Sequence, residues 1–205
     1  MVTIRHEADR DWAAREALLD RVFGETRFLK TCEQLRRNRL PSPGLAFGAY
    51  AKGKLIGTVR LWDIVAGSAG KALLLGPLGV APEMQGKGIG SKLVRHAIHE
   101  AALSGHYAIL LVGDAPYYRR FGFSTSKVKG LKLPGPVERA RFQGLELEKG
   151  ALTGASGLVV PCGRLAVPED ERKDSRVGGS QDLPALGPLS RGPQSESGER
   201  DRGNF

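Results

Sequence analysis

Two clusters in this chain hold residues whose types and spacing can do chemistry. The first is Gln85-Gly-Lys-Gly-Ile-Gly-Ser91, with glycines at positions 86, 88 and 90. It follows an apolar run, Ala72 to Val80, that breaks at Pro82, and it opens a periodic stretch ending near Gly105. Glycine admits left-handed dihedrals and lets a ligand approach the backbone. The free N–H groups and dipole of a helix start favour an anion. Strand end, glycine turn and helix start together predict a phosphate cradle built from main chain. The second cluster is Asp114-Ala-Pro-Tyr-Tyr-Arg-Arg-Phe-Gly-Phe123. Asp114 is placed to cap a short helix, with Pro116 in its first turn and Gly122 at its end. Two adjacent tyrosines in so short a helix cannot both face the core, so at least one phenol meets solvent or ligand.

Several chemistries fail on the residues available. A P-loop needs a second glycine five places after the first, and Ser91 stands five places after Gly86. A dinucleotide fingerprint starting at Gly86 and Gly88 needs glycine at 91, and no acidic residue ends the next strand. The two cysteines, Cys32 and Cys162, and four histidines complete no metal spacing, so no metal site is expected. The absence of a leader pattern and of a long apolar run predicts no signal peptide and no membrane span, and the two widely separated cysteines fit a reducing cytoplasm.

The elements that must position these clusters follow in order. Thr3 to His6 is strand-like, and Asp9 or Asp11 is placed to cap a helix running to Phe23. A second helix is expected over 27–39, with Phe28, Leu29, Cys32 and Leu35 on one stripe. Leu45–Ala51 and Leu55–Val65 read as a hairpin around Lys52-Gly-Lys54, and Ala72–Val80 as a third antiparallel strand. Pro77 cannot donate to a ladder, which predicts a bulge or lost pairing there. Ile89, Leu93, Val94, Ala97, Ile98 and Ala101 give the next helix its apolar face. Tyr107–Val112 then returns as a buried strand, parallel to Ala72–Val80. Lys127 to Pro136 reads as a basic, broken segment, followed by strand-like pieces at 144–148 and 157–161.

Residues 1–168 are expected to form one domain. Gly, Pro and Ser make up 14 of the 37 residues from 169 to 205, a composition that predicts a disordered tail. The tail holds six basic and eight acidic side chains, so residues 1–168 carry +11 against +9 for the whole chain. Such a charge suits a polyanion, a phosphorylated cofactor or an acidic substrate. The basic segment Lys127–Lys132 has no aromatics to stack on bases, which argues against a nucleic-acid-binding module.

Gln85-Gly-Lys-Gly88-Ile-Gly90, preceded by Leu78-Gly-Val-Ala-Pro-Glu-Met, resembles the fourth strand and pyrophosphate loop of the GCN5-related N-acetyltransferases (GNATs). Tyr118-Arg-Arg-Phe-Gly-Phe123 resembles the family's late Tyr-x-x-x-Gly-Phe signature. Gly76-Pro-Leu-Gly-Val80 and Gly113-Asp-Ala-Pro-Tyr-Tyr118 are similar to the YhbS-like branch in particular. The resemblance covers residues 2–165 and is strongest over 76–123. It implies an α/β fold with a mixed, mostly antiparallel sheet, flanked by helices and splayed between parallel strands 4 and 5. It implies an acetyl-CoA-dependent transferase that acetylates a primary amine on a small molecule or peptide. By position, the main chain of Leu78 and Val80 would hold pantetheine and polarise the thioester. That of Gln85, Gly86, Lys87, Gly88, Ile89, Gly90 and Ser91 would hold the pyrophosphate. Tyr118 would protonate the leaving sulfur. No general base is evident; Asp63, Glu25 and Asp114 are the carboxylates available. The other classes weighed are a CoA-binding sensor with a degenerate site and the nucleic-acid module already argued against.

Overall fold

The computed structural model describes residues 1–166, so the tail expected from residue 169 lies outside the described residues. Eight strands form one sheet: β1 (Val2–His6), β2 (Ala46–Ala51), β3 (Lys54–Ala66), β4 (Lys71–Val80), β5 (Ala108–Val112), β6 (Gly130–Lys132), β7 (Phe142–Glu146) and β8 (Ser156–Pro161). The main path runs β1-β2-β3-β4-β5-β7, while β8 pairs with β3 and β6. β1 to β4 are antiparallel neighbours, β4 and β5 are parallel, and β5 and β7 are antiparallel. This is the mixed sheet expected from the sequence. The hairpin between β2 and β3 turns on Lys52 (φ 48°) and Gly53 (φ 76°), a two-residue loop whose positive dihedrals match strand twist.

Two long helices cover opposite faces. α1 spans Trp12–Phe23 and α3 spans Ile89–Leu103. A Cβ on Gly57 would sit 3.0 Å from Leu93 of α3, and one on Gly79 would sit 3.1 Å from Leu19 of α1. Gly57 pairs with Val80, the neighbour of Gly79, and consecutive strand positions face opposite ways. The two glycines thus let each helix lie close against its own side. All six predicted apolar residues of α3 enter the core, with Ile98 only partly buried.

The N-terminal expectations need correction. Asp11 does not cap α1; its carboxylate accepts from the Ala8 N–H at 2.9 Å and the Tyr50 hydroxyl at 2.7 Å. The single helix expected over 27–39 is broken. A 3-10 turn, Glu25–Leu29, precedes a four-residue α2, Thr31–Gln34, and Lys30 between them is extended. Arg27 is the cause: its guanidinium folds back onto Glu16 and onto Asp20, at 2.8 Å, of α1. Burial works against that cation, but the Asp20 and Glu16 hydrogen bonds raise its pKa overall. Of the expected stripe, Leu35 is buried, whereas Phe28 and Leu29 are exposed. The basic segment supplies a strand that periodicity did not reveal: β6 is three residues long, with Leu131 buried between an exposed Gly130 and Lys132.

Candidate functional site

Side chains on β4 change from Ala-Leu-Leu-Leu to Gly-Pro-Leu-Gly at Gly76, and the sheet changes there too. β4 and β5 are paired only at Leu73/Ile109 and Leu74/Leu110. Beyond that point β5 stays with β7, through Leu111/Gln143 and Val112/Phe142, and β4 stays with β3. The β3–β4 register slips between Val59 and Leu61, so that Gly76 and Pro77 together oppose one residue, Arg60. That is the bulge expected at Pro77. The indole N–H of Trp62 donates to the Gly76 carbonyl and pins the turning point from the β3 side.

The free donors of the open edge follow from ladder geometry. Hydrogen-bonded and non-bonded pairs alternate along an antiparallel ladder. Ala81 N–H donates to the Ile56 carbonyl at 2.9 Å, so Thr58/Gly79 is the next bonded pair. Leu78 and Val80 therefore direct their N–H groups away from β3, toward the gap that β5 has left. The Val80 carbonyl points the same way, since the Gln85 side chain donates to it at 3.2 Å.

At the far end of this edge the chain makes a 3-10 turn, Pro82–Met84, and enters the glycine loop. Gly86 and Gly88 both have φ of 74°, and a Cβ on either would meet nothing within 4 Å. Glycine is thus required here by backbone conformation rather than by crowding. Gly88 is the N-cap of α3, and no side chain caps it. The N–H groups of Ile89, Gly90 and Ser91 belong to the first helical turn, which has no intrahelical acceptors to offer. The Lys87 ammonium turns back to the Glu83 carbonyl at 3.1 Å, and Arg95 lies over the Phe121 ring. Both cations are thus engaged locally, while Lys92, near the start of α3, is exposed.

Facing the gap is α4, Ala115–Arg119. Asp114 caps it as expected, accepting from the Tyr117 N–H at 3.1 Å. The Tyr118 ring packs against Gly113, just past the end of β5; a Cβ there would fall 2.2 Å from the ring. Only glycine can occupy position 113 with Tyr118 in this place. Burial, helped by Tyr117 beside it and opposed by Arg141, pushes the Tyr118 phenol above its usual pKa. The phenol is therefore neutral and remains a donor at physiological pH. Tyr117 has its own place: a Cβ on Gly90 would be 2.8 Å from its hydroxyl. It joins α4 to the first turn of α3.

A cavity of about 620 Å³ opens from this gap, within the usual size of a small-molecule site. Leu75, Gly76, Pro77 and Leu78 form one wall, and Val112, Gly113, Tyr117 and Tyr118 another. The remainder comes from Phe23, Asp114, Arg141 and, for the larger part, residues 27–36 and 136–138. Of the predicted residues, Tyr118 and Leu78 line the cavity; Val80 and Gln85 to Ser91 lie along the edge beyond it. Among the three carboxylates considered, Asp114 lines the cavity. Asp63 lies in β3 opposite Leu73, its carbonyl bound by Cys162 and Gly163, and the Glu25 side chain is outside the described residues. Glu33, Arg36, Glu138 and Arg141 also line the cavity and were not anticipated. No motif marks them, because they come from the short α2 and from irregular segments beside it and before β7.

The sequence model of the acetyltransferase (GNAT) family matches residues 6–123. The chain is similar to the uncharacterized N-acetyltransferase YhbS of Escherichia coli K12, with 30% identity over 157 residues, 76% of this chain and 93% of that one. It is also 30% identical to the uncharacterized N-acetyltransferase YjhQ of the same strain, over 65% of this chain and 79% of that one. Among solved structures, E. coli YhbS in complex with CoA has a TM-score of 0.68 at 27% identity, covering 78% of this chain and 89% of that one. A GNAT family acetyltransferase from Brucella melitensis in complex with acetyl-CoA has a TM-score of 0.52 at 28% identity, covering 82% and 97%.

Proposed function

Since the chain belongs to the acetyltransferase (GNAT) family and so has the N-acetyltransferase activity that membership carries, we propose that it moves an acetyl group from acetyl-CoA to a primary amine by direct attack on the thioester. The single observation that supports this reading is the unpaired edge of β4 between the glycine loop and Tyr118. It offers strand-like donors at Leu78 and Val80 to an amide-containing chain, and helix-start donors at Gly88 to Ser91 to a pyrophosphate. That similar proteins are known in complex with CoA and with acetyl-CoA supports acetyl-CoA as the donor. In this reading Gln85 holds the loop against β4 through the Val80 carbonyl, and Gly86 and Gly88 give the backbone its turn.

The reaction assigns each group a task. A neutral amine attacks the thioester carbon, a C–N bond forms, and the carbonyl oxygen becomes an oxyanion. A backbone donor on the open edge stabilises that charge, an effect of roughly 2.7–4 kcal/mol for one such donor. The C–S bond then breaks and the nitrogen loses its proton to water. Tyr118 donates its hydroxyl hydrogen to the departing sulfur, and solvent reprotonates the phenolate. The raised pKa keeps that hydrogen in place until sulfur carries charge. No helix among the described residues is long and apolar enough to cross a membrane.

Thermal shift with acetyl-CoA tests the donor. At one hundred times the dissociation constant the expected stabilisation is about 2.7 kcal/mol. CoA release across a panel of primary amines then tests the transfer. No stabilisation at millimolar acetyl-CoA overturns the donor assignment.

A further inference from the structure

Among the described residues, Arg36 is a cavity-lining cation whose fork is largely buried yet left partly open, whereas Arg141, also in the lining, is exposed. Its side chain is only 9% exposed, yet its Nε has no hydrogen-bond partner. Nη2 donates to Glu33 at 2.8 Å. Nη1 lies against the turning point of β4, 3.4 Å from where a Cβ on Gly76 would be, and no protein acceptor reaches it among the described residues. Arg27, in the same wall, is the contrast. Its Nε donates to Asp20 and its Nη2 to Glu16, so its charge is neutralised by α1. A buried polar group without a partner is penalised in the free protein, and native structures rarely leave one without a use. A guanidinium is also the group best shaped to hold a carboxylate or phosphate.

Position decides which ligand it would hold. Gly76 and Val80 stand four residues apart, roughly 13 Å along an extended strand. The glycine loop lies beyond Val80. Arg36 is therefore at the opposite end of the open edge from the phosphate cradle, on the side of the cavity formed by residues 27–36 and 136–138. That is the side from which an acceptor would approach the Leu78 backbone and Tyr118. Building on the transferase reading, we infer that the acceptor is a primary amine that carries an anionic oxygen group, carboxylate or phosphate, and that Arg36 binds that group while the amine points toward Tyr118.

Matched pairs of acceptors test this. CoA release is measured for L-amino acids against their primary amides, and for phosphoethanolamine against ethanolamine; equilibrium binding of each compound is measured with CoA present. The expected result is that the anionic member of at least one pair is favoured about tenfold or more in kcat/KM and in affinity, one charge-assisted contact being of that size. The pair that shows it identifies carboxylate or phosphate. Arg36→Gln should collapse that ratio toward one, and Arg36→Lys should restore part of it. The thermal-shift response to acetyl-CoA reports that each variant is folded. No anionic preference in the unmodified protein, in turnover or in binding, overturns the inference. So does a ratio that survives Arg36→Gln, or an effect of that substitution confined to the KM for acetyl-CoA. Anion-selective binding without acetyl-CoA response or CoA release would uphold Arg36 and overturn the transferase reading instead.

Discussion

The two halves of β4 are equal in length and continuous in sequence, and the sheet treats them differently. Lys71–Leu75 is bounded by β3 on one side and β5 on the other, and Leu73 and Leu74 are fully buried. Gly76–Val80 keeps β3 and loses β5, and Leu78 and Val80 are only partly buried. The closed half spends its backbone on the sheet and its side chains on the core. The open half keeps its backbone donors for something else. Loss of one strand partner would expose polar groups to no benefit in a purely structural strand. Here the exposed edge ends at a glycine loop and faces two tyrosines, so the unpaired backbone forms the floor of a site. Under the proposed reading, the site is made by a local withdrawal of pairing next to a segment that keeps a strand partner on each side.

The largest expected effect lies across the gap from the open half. Tyr118→Phe removes the hydroxyl and keeps the ring that packs on Gly113. If the open half aligns a thioester beneath Tyr118, kcat should fall about 100-fold or more, with the KM for acetyl-CoA little changed. Steady-state kinetics of the variant decide it, and an undiminished kcat would remove Tyr118 from the chemistry.

The closed half should answer in stability. Leu74→Ala deletes a fully buried side chain in the core shared with Trp62, Leu110 and Phe142, and should lower the unfolding free energy by about 2–5 kcal/mol. Leu78→Ala, in the open half and partly buried, should lower it by less than about half of that. Urea denaturation of the two variants makes the comparison directly. Equal losses would mean that the open half is held by packing like the rest of the strand.

Much of the open half was legible before the fold was known, because its cause is local. Gly76, Pro77 and Gly79 inside an apolar strand announce weak pairing, and Gly86 and Gly88 announce positive φ. Asp114 and Pro116 announce a short helix, and the spacing to Phe123 carried the family resemblance. The acceptor side was not legible. Phe28, Leu29, Cys32 and Leu35 have helical spacing, but Arg27 pairs with Glu16 and Asp20 on α1, and those partners set the course of the chain. Three residues are too few for β6 to show a period. That Arg36 lacks a partner is a fact of three-dimensional packing, which no residue type or interval encodes.

At the glycine loop, Gly88→Ala separates backbone conformation from crowding. The new Cβ would touch nothing, so any effect comes from forcing a left-handed dihedral on alanine, about 1–2 kcal/mol. The expected result is a weaker grip on acetyl-CoA, up to about tenfold in dissociation constant, with a smaller change in kcat. Titration calorimetry with CoA measures it. An unchanged affinity would show that the helix-start donors are not what holds the pyrophosphate.

The smallest effect is in pH, and it tests the setting of Tyr118 rather than its presence. A phenol whose pKa is raised in the fold stays neutral through the ordinary phenol range, near pH 10. As a hydrogen donor it is active while neutral, so raising its pKa moves the alkaline loss of activity upward. As a contributor to stability it has the same sign. Its share is complete below the unfolded pKa and is lost only as pH rises through the higher folded value. Once the acceptor amine is deprotonated, kcat should therefore stay level through about pH 10. An alkaline limb at about pH 10, of about one proton, that vanishes in Tyr118→Phe would contradict the buried setting. It would mean that the phenol titrates in contact with water, as it would if the gap between β4 and β5 did not shield it.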